Sequence, residues 1–173
     1  METKYLRLKE KSASASFAYI RQNLLLPVGK ASGSYYVKAG NTSVFWIYSI
    51  GTSQYGAAYF DVSDQTTQIV AGGQSSPSNL EILDVGNGWY KISATFDITS
   101  ALTQGVGIGI ADAKGSTNVT SGKYGYVWGA QTELANEATE YQPIRTTFDN
   151  AFKQAFPKHT LVKERILRLL QSF

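Results

Sequence analysis

The chain contains no cysteine, one histidine, one methionine and four prolines. Without cysteine it forms no disulfide, no thiolate metal site and no cysteine nucleophile. A metal site built on several histidines is excluded as well, because His159 has no second histidine to join it. No apolar run is long enough to span a bilayer or to form the core of a secretory signal. The sequence therefore predicts cytosolic synthesis, no membrane span and no cofactor.

Charge is also scarce. Charged residues make up 17% of the 173-residue chain, below the usual quarter, and the formal net charge is +3. Residues 1–12 carry +2, residues 13–144 carry −3 and residues 145–173 carry +4. The basic character belongs to the two ends, and no groove-reading motif accompanies it, which argues against nucleic acid as the partner.

Glycine and short apolar runs define the middle of the chain. All sixteen glycines lie between Gly29 and Gly129, and apolar residues between them recur with a period of two. This pattern predicts strands joined by turns. The predicted strands are 15–21, 34–38, 43–50, 55–62, 65–70, 80–83, 89–98, 105–110 and 124–131. So many short strands favour an all-β, two-sheet antiparallel jelly-roll sandwich.

Three local patterns sharpen this prediction. In 89–98 the even-numbered residues, from Tyr90 to Ile98, are apolar and predict a core face, whereas Trp89 and Lys91 begin a solvent face. The Asn87-Gly88 pair predicts a tight turn, because both residue types tolerate positive φ. In 105–110 every second residue is glycine, so a bulky group can approach the backbone on that side.

The chain after Pro143 has a different pattern. Apolar residues spaced for a short helix precede Pro157, and a second apolar stripe with basic residues beside it follows. This predicts an α-helical C-terminal segment, 145–173, whose docking helix presents Val162, Ile166, Leu169, Leu170 and Phe173. A helix this short is marginal alone. It packs either on its own sandwich or on a partner, and the sequence leaves both open. Residues 1–14 are predicted to be a basic arm and 15–144 the sandwich.

Four segments occur in an order typical of one family. They are SYYVKAGN (34–41), NGWYKI (87–92), YVWGAQTE (126–133) and ATEYQPI (138–144). Together they resemble the concanavalin-A-like, carbohydrate-binding-module-like jelly-roll domain of tailed-phage structural proteins, over roughly residues 15–144. Thr132 stands where that family usually has leucine, and Gln142 where it usually has isoleucine.

The resemblance implies a non-enzymatic bacteriophage structural or accessory protein, in the capsid decoration, the neck or the tail. It would be synthesised in the host cytoplasm and incorporated into the virion, with its terminal segments anchoring it to other virion proteins. The resemblance also suggests a homo-oligomer, with a trimer as the first expectation. The alternative is a carbohydrate-binding module that adheres to host surface glycans.

Candidate ligand-binding residues follow from the chemistry of sugar recognition, in which aromatic rings stack on pyranose C–H groups and polar groups take the hydroxyls. The residues assigned to this role are Trp89, Lys91, Tyr36 and Tyr59. Trp46 and Trp128 lie in dense apolar stretches and are interpreted as core.

No catalytic residues are assigned. The chain has no Gly-x-Ser-x-Gly elbow to accompany its one histidine. The carboxylate pairs considered for a glycosidase, Asp61 with Asp97 and Glu81 with Glu133, are interpreted as ordinary surface acids. No metal site is assigned either. Asp61 with Asp64, or Asp112 with nearby carbonyls, could ligate calcium, but two aspartates three residues apart are more often part of a turn.

Overall fold

The fold consists of two antiparallel five-stranded sheets. A computed structural model describes residues 6–9, 17–21, 25–51, 54–73, 76–99 and 105–142. Those residues form ten strands and no helix. The prediction of an all-β, two-sheet protein is therefore confirmed.

Both sheets combine strands that are distant in sequence. Sheet A contains, in spatial order, β1 (Leu6–Lys9), β10 (Tyr124–Glu133), β3 (Gly29–Ala39), β8 (Trp89–Ile98) and β7 (Pro77–Gly86). Sheet B contains β2 (Ala18–Arg21), β9 (Val106–Ala111), β4 (Val44–Gly51), β5 (Gln54–Asp61) and β6 (Thr66–Gly73). The sheets pack face to face as a β-sandwich, with β3 and β8 of sheet A against β4 of sheet B. The chain divides into two compact units, Met1–Thr139 and Glu140–Phe173, and all ten strands belong to the first.

The core lies between the two inner faces. Its largest fully buried side chains are Phe45, Phe60, Phe96, Ile47, Ile92, Ile98, Ile108, Ile110, Val37 and Val62. Most of these residues alternate along their strands, which is why a period of two in the sequence identifies the inward face. Burial of such side chains is the main favourable term in folding.

Strand β8 has the predicted inner face, but Ser93 and Thr95 on the predicted solvent face are buried as well. Ile92, Ala94, Phe96 and Ile98 are buried in the core. The Asn87-Gly88 turn that precedes the strand is also confirmed, because both residues have positive φ, 55° and 73°. Positive φ at both positions is required by a type I′ turn, one of the two turn types whose twist matches that of a two-residue hairpin.

The glycines of β9 allow aromatic rings to lie against the outer face of sheet B. A Cβ added to Gly109 would lie 2.5 Å from Trp46 Cε2, and one added to Gly107 would lie 2.6 Å from Tyr48 Cζ. The Trp46 indole nitrogen donates to the carbonyl of Ile110 over 3.1 Å. The predicted close approach to the glycine side of this strand is therefore confirmed.

The structure differs from the predicted strands near the start of the chain and at β7, which spans Pro77–Gly86 where 80–83 was predicted. Leu6–Lys9, within the predicted basic arm, forms edge strand β1 and pairs with β10. Strand β3 begins at Gly29, five residues before the predicted start, because serine and glycine there give no apolar period. The predicted C-terminal segment, with Val162, Ile166, Leu169, Leu170 and Phe173, lies outside the described residues and stays a prediction.

Candidate functional site

The outer face of sheet A gathers aromatic and basic side chains from strands that are distant in sequence. Four half-buried rings form what we call the aromatic platform: Tyr36, Trp89, Tyr126 and Trp128. All four alternate with inward residues on β3, β8 and β10, so the pleat places them on one side of the sheet.

Cross-strand register interleaves the rings with lysines. Lys38 lies opposite Tyr126 on one side and opposite Trp89 on the other. In the next outward row, Tyr36 lies between Trp128 and Lys91. Directly opposite residues in antiparallel strands have Cβ atoms about 5 Å apart, so each lysine borders a ring. Three of the four residues predicted to bind sugar, Trp89, Lys91 and Tyr36, are thus brought together.

Ring contacts give the platform its shape. The centroids of Tyr36 and Trp128 are 4.8 Å apart, with the ring planes inclined by 60°. Tyr124 and Tyr126, further along β10, meet edge to face at 5.6 Å. The Arg7 guanidinium from edge strand β1 lies 3.8 Å from the centroid of Tyr124. Through this cation–π contact, the basic side chains beside the rings extend from Lys38 and Lys91 to edge strand β1.

Both lysines of the platform have their ammonium groups held by backbone carbonyls. Lys38 Nζ donates to the carbonyl of Asn87 over 2.9 Å, and Lys91 Nζ donates to that of Thr139 over 2.8 Å. An ammonium has three donors, so each keeps two for another acceptor. The contacts orient the charges without neutralising them.

The other half of the outer face is polar and covered. Residues 134–139, which follow β10 and which we call the covering loop, lie over Ser32 and Thr95. These two hydroxyl oxygens are 2.8 Å apart, and they lie 3.0 Å from the carbonyl of Ala135 and 3.1 Å from that of Asn136. Both side chains are only 1% exposed. The loop therefore covers the part of this outer face that contains Ser32 and Thr95.

Tyr59 does not belong to this site. It lies on sheet B, on the outward side of β5, in a second apolar cluster with Trp46 and Tyr48. Its side chain is 1% exposed, so its ring is not available to stack on a sugar. The sequence could not separate Tyr59 from Tyr36, because both alternate with apolar neighbours in predicted strands.

The two tryptophans interpreted as core have different environments. Trp46 is 3% exposed and confirms that interpretation, although it packs on the outer side of sheet B and not between the sheets. Trp128 is half-buried on the outer face of sheet A, so its assignment to the core is wrong. The inward positions beside it are taken by Val127 and Gly129, which are buried.

The carboxylate pairs considered for hydrolysis do not form a catalytic geometry. Asp61 lies on sheet B and Asp97 on sheet A. Glu81 and Glu133 share the outer face of sheet A, but β3 and β8 lie between their strands. Three strand spacings correspond to roughly 14 Å, beyond the separations that either glycosidase mechanism uses.

The aspartates considered as calcium ligands instead accept hydrogen bonds from residues of their own turn. Asp61 Oδ1 accepts from the backbone and hydroxyl of Ser63, and Asp64 Oδ1 accepts from those of Thr66. Desolvation alone would raise the pKa of Asp61, but these hydrogen bonds outweigh it and lower the pKa. The Thr66 hydroxyl lowers the pKa of Asp64. In the part of the chain that the structure describes, no three metal-ligating side chains cluster.

Asp112 likewise accepts hydrogen bonds from a residue of its own loop, between β9 and β10. Its Oδ2 atom accepts from the Thr120 hydroxyl and, over 2.8 Å, from the Thr120 backbone N–H. The hydroxyl contact is the main reason why the pKa of Asp112 is lowered. Both hydrogen bonds stabilise the charged carboxylate and close the loop.

A cleft of about 190 Å³ opens between the sheets near the bulge of β10. Its wall includes the ring of Tyr35, which is 4% exposed, and Thr132, which hydrogen-bonds Tyr35. Burial raises the pKa of Tyr35 far above its usual range, so the phenol stays neutral. Pockets for small ligands usually measure 300–1,000 Å³, so this cleft is a less suitable site than the platform.

Comparison with known proteins gives this chain no family. No protein-family model matches it, and no curated protein is significantly similar in sequence. Among the described residues, none forms a helix with the length and hydropathy to cross a membrane.

Proposed function

We propose that this protein is a non-enzymatic structural or accessory component of a bacteriophage particle, built on a carbohydrate-binding-like jelly roll. The four sequence segments that resemble such phage domains support the proposal, and a two-sheet antiparallel sandwich is the architecture that they imply. Capsid decoration, neck and tail remain alternative positions in the particle. Its terminal segments would attach it to other virion proteins or to its own copies, a trimer being the first expectation.

The aromatic platform carries the functional part of the proposal, which is binding of a glycan. Tyr36, Trp89, Tyr126 and Trp128 offer ring surface at half-buried positions, and Lys38 and Lys91 offer N–H donors beside them. Rings that pack on C–H groups and donors that take hydroxyls are the two contacts a sugar needs. A module of this kind could serve adhesion to host surface glycans, which is the alternative to a purely structural role.

Two experiments test the two parts of the proposal. Mass spectrometry of purified virions is expected to detect the protein at a fixed copy number, and its absence from the particle would refute the virion assignment. A glycan array probed with the full chain is expected to show saturable binding to a defined set of polysaccharides. A well-folded protein that binds none of them would refute the glycan-binding part alone.

A further inference from the structure

We propose that the aromatic platform selects acidic polysaccharides, in which uronate carboxylates recur along the polymer, over neutral ones. This inference rests on the proposed glycan-binding function and names its ligand class. Three basic side chains, Arg7, Lys38 and Lys91, lie on the same face of sheet A as the rings. The hydroxyls of a neutral sugar need only the N–H donors of these groups, whereas a carboxylate also interacts with their positive charge.

The three cations lie in the same rows as the platform rings. Arg7, Lys38 and Lys91 come from three strands, β1, β3 and β8, yet all three occupy outward rows that also contain platform rings. Arg7 lies opposite Tyr126 in the same row as Lys38. A saccharide stacked on these rings would place its substituents within reach of the positive charges.

Among the described residues, no carboxylate forms a salt bridge with Arg7, Lys38 or Lys91. In the described residues the salt bridges join Lys30 to Asp97 over 2.7 Å and Lys114 to Asp64 over 3.7 Å. Lys38 and Lys91 instead donate to carbonyls, which are neutral and leave the full charge in place. Two cations held in position beside partly desolvated rings attract a carboxylate more strongly than fully solvated ones do.

Arg7 is the only arginine of the group. A guanidinium is planar and offers parallel N–H donors that match the two oxygens of a carboxylate. Its position above Tyr124 restricts the group, which reduces the entropy lost when a ligand binds. Arg7 is also exposed, so its donors remain open to solvent.

Carboxylates on this face distinguish a polysaccharide from a nucleic acid as the ligand. The same outer face also contains the carboxylates Glu81 and Glu133. Glu133 accepts from Gln131 and from Thr139, so it is held near the edge of the platform. Carboxylates repel a backbone that carries a phosphate at every nucleotide, but they accept the hydroxyls of a sugar. Mixed charge therefore fits a polymer with spaced anions and many hydroxyls.

The test measures binding of the full chain to three probes by titration calorimetry. The first probe is a panel of acidic polysaccharides, namely alginate, polygalacturonate and hyaluronan. The second is the same polymers with their carboxylates reduced to alcohols, and the third is oligo-dT. We expect binding to at least one acidic polymer, a loss of roughly tenfold or more on carboxyl reduction, and weaker binding at high salt.

Matched variants assign the effect to the platform. Lys38→Gln, Lys91→Gln and Arg7→Gln are each expected to weaken binding to the acidic polymer by roughly threefold to tenfold, with little effect on the reduced polymer. Lys30→Gln is the control. Lys30 lies on the same strand as Lys38 and on the same face of sheet A, but it is already paired with Asp97. Arg7→Gln guards against an indirect effect, because Arg7 lies over the ring of Tyr124 on edge strand β1, whereas Lys91 holds the covering loop at Thr139.

Each outcome is decisive. Equal affinity for the acidic and the reduced polymers would overturn this inference and leave the glycan-binding function standing. Tighter binding to oligo-dT than to any polysaccharide would overturn both and assign the platform to single-stranded nucleic acid. Binding to none of the probes by the folded chain would overturn the inference, and a negative glycan array would then remove the glycan-binding function too.

Discussion

Tyr36 and Trp128 lie opposite each other on strands β3 and β10, with their ring centroids 4.8 Å apart on the outer face of sheet A. The two residues are 92 positions apart in the chain, and only the pairing of these strands brings them together. Neither ring takes part in the core between the sheets. The pair is the centre of the platform on which the proposed function depends.

The first prediction concerns the rings themselves. Trp128→Ala and Trp89→Ala are each expected to weaken glycan binding by roughly tenfold or more, as truncation of a central aromatic anchor does. The fold should survive, since both side chains are only half-buried. Isothermal titration with the polysaccharide found on the array gives the affinity, and circular dichroism monitors the fold.

Tyr19→Ala is the matched control for these variants. Tyr19 is a 43% exposed aromatic residue, but it lies on sheet B, where its ring meets Trp46 and Tyr48 edge-on. Its loss should leave the affinity unchanged. A decrease equal to that of Trp128→Ala would show that binding does not occur at the platform.

The second prediction concerns the close approach of Trp46 to β9. Gly109→Ala is expected to destabilise the protein by about 1–3 kcal/mol, because its Cβ would lie 2.5 Å from the rigid indole and overpack the site. The backbone of Gly109 is not in the left-handed region, so crowding is the only penalty. Urea unfolding measures the loss.

The Trp46 indole should account for the destabilisation caused by Gly109→Ala. In a Trp46→Phe background the atoms nearest the new Cβ are absent, so Gly109→Ala is expected to cost less than in the parent protein. An equal cost in both backgrounds would mean that some other neighbour of Gly109 causes the loss.

The third prediction concerns the hydroxyls beneath the covering loop. Ser32→Ala is expected to cost roughly 1–3 kcal/mol, because the carbonyl of Ala135 and the Thr95 hydroxyl lose a buried partner. The loop should also open more often, which amide hydrogen exchange of residues 134–139 would detect.

The double variant Ser32→Ala/Thr95→Val should cost less than the sum of its single changes. The two hydroxyls share one network, so removing both leaves fewer unpaired groups than the single losses suggest. Strict additivity in urea unfolding would indicate that the two side chains act independently.

The fourth prediction is a pH dependence that originates at Asp112. Its pKa is lowered in the folded protein, so the stabilisation is present above the unfolded pKa of about 3.9 and is lost as pH falls through the lower folded value. Asp112→Asn should therefore be less stable than the parent at pH 7, and this difference should shrink at pH 2–3. Urea unfolding across this range measures it.

Thr120→Val offers an independent check, because it removes the hydroxyl that lowers the pKa of Asp112. The carboxyl carbon of Asp112, followed by NMR, should then titrate closer to its ordinary pKa. An unchanged titration would assign the lowered pKa to another contact.

Much of the strand pattern could be predicted because local alternation and turn chemistry carry it. The strand 89–98 and the Asn87-Gly88 turn are both confirmed. Edge strand β1 was not predicted, since four residues that alternate charged and apolar side chains give no distinct signal. Its pairing with β10 is a long-range contact, and no local pattern encodes that.

The site was only partly predictable from the sequence. Trp89, Lys91 and Tyr36 were recognised from residue chemistry, and the structure places them on one face. Trp128 was assigned to the core and Tyr59 to the site, because both lie in stretches where either face could point inward. The interleaving of lysines with rings depends on register between three distant strands, which the sequence alone does not give.

Strands β9 and β10 show that the sequence predicts where a strand lies, whereas the tertiary structure determines which of its sides faces the core. Both contain glycine beside large residues, and the sequence by itself determined that each would be a strand, with one open side predicted for β9. In β9 the large residues, such as Ile108, fill the core and the glycines lie under Trp46. In β10 it is Gly125 that faces the core, against the ring of Phe45, and Trp128 points outward. Which side faces inward depends on whether the opposite sheet supplies an aromatic ring to fill the space above glycine, and that is a property of packing between sheets.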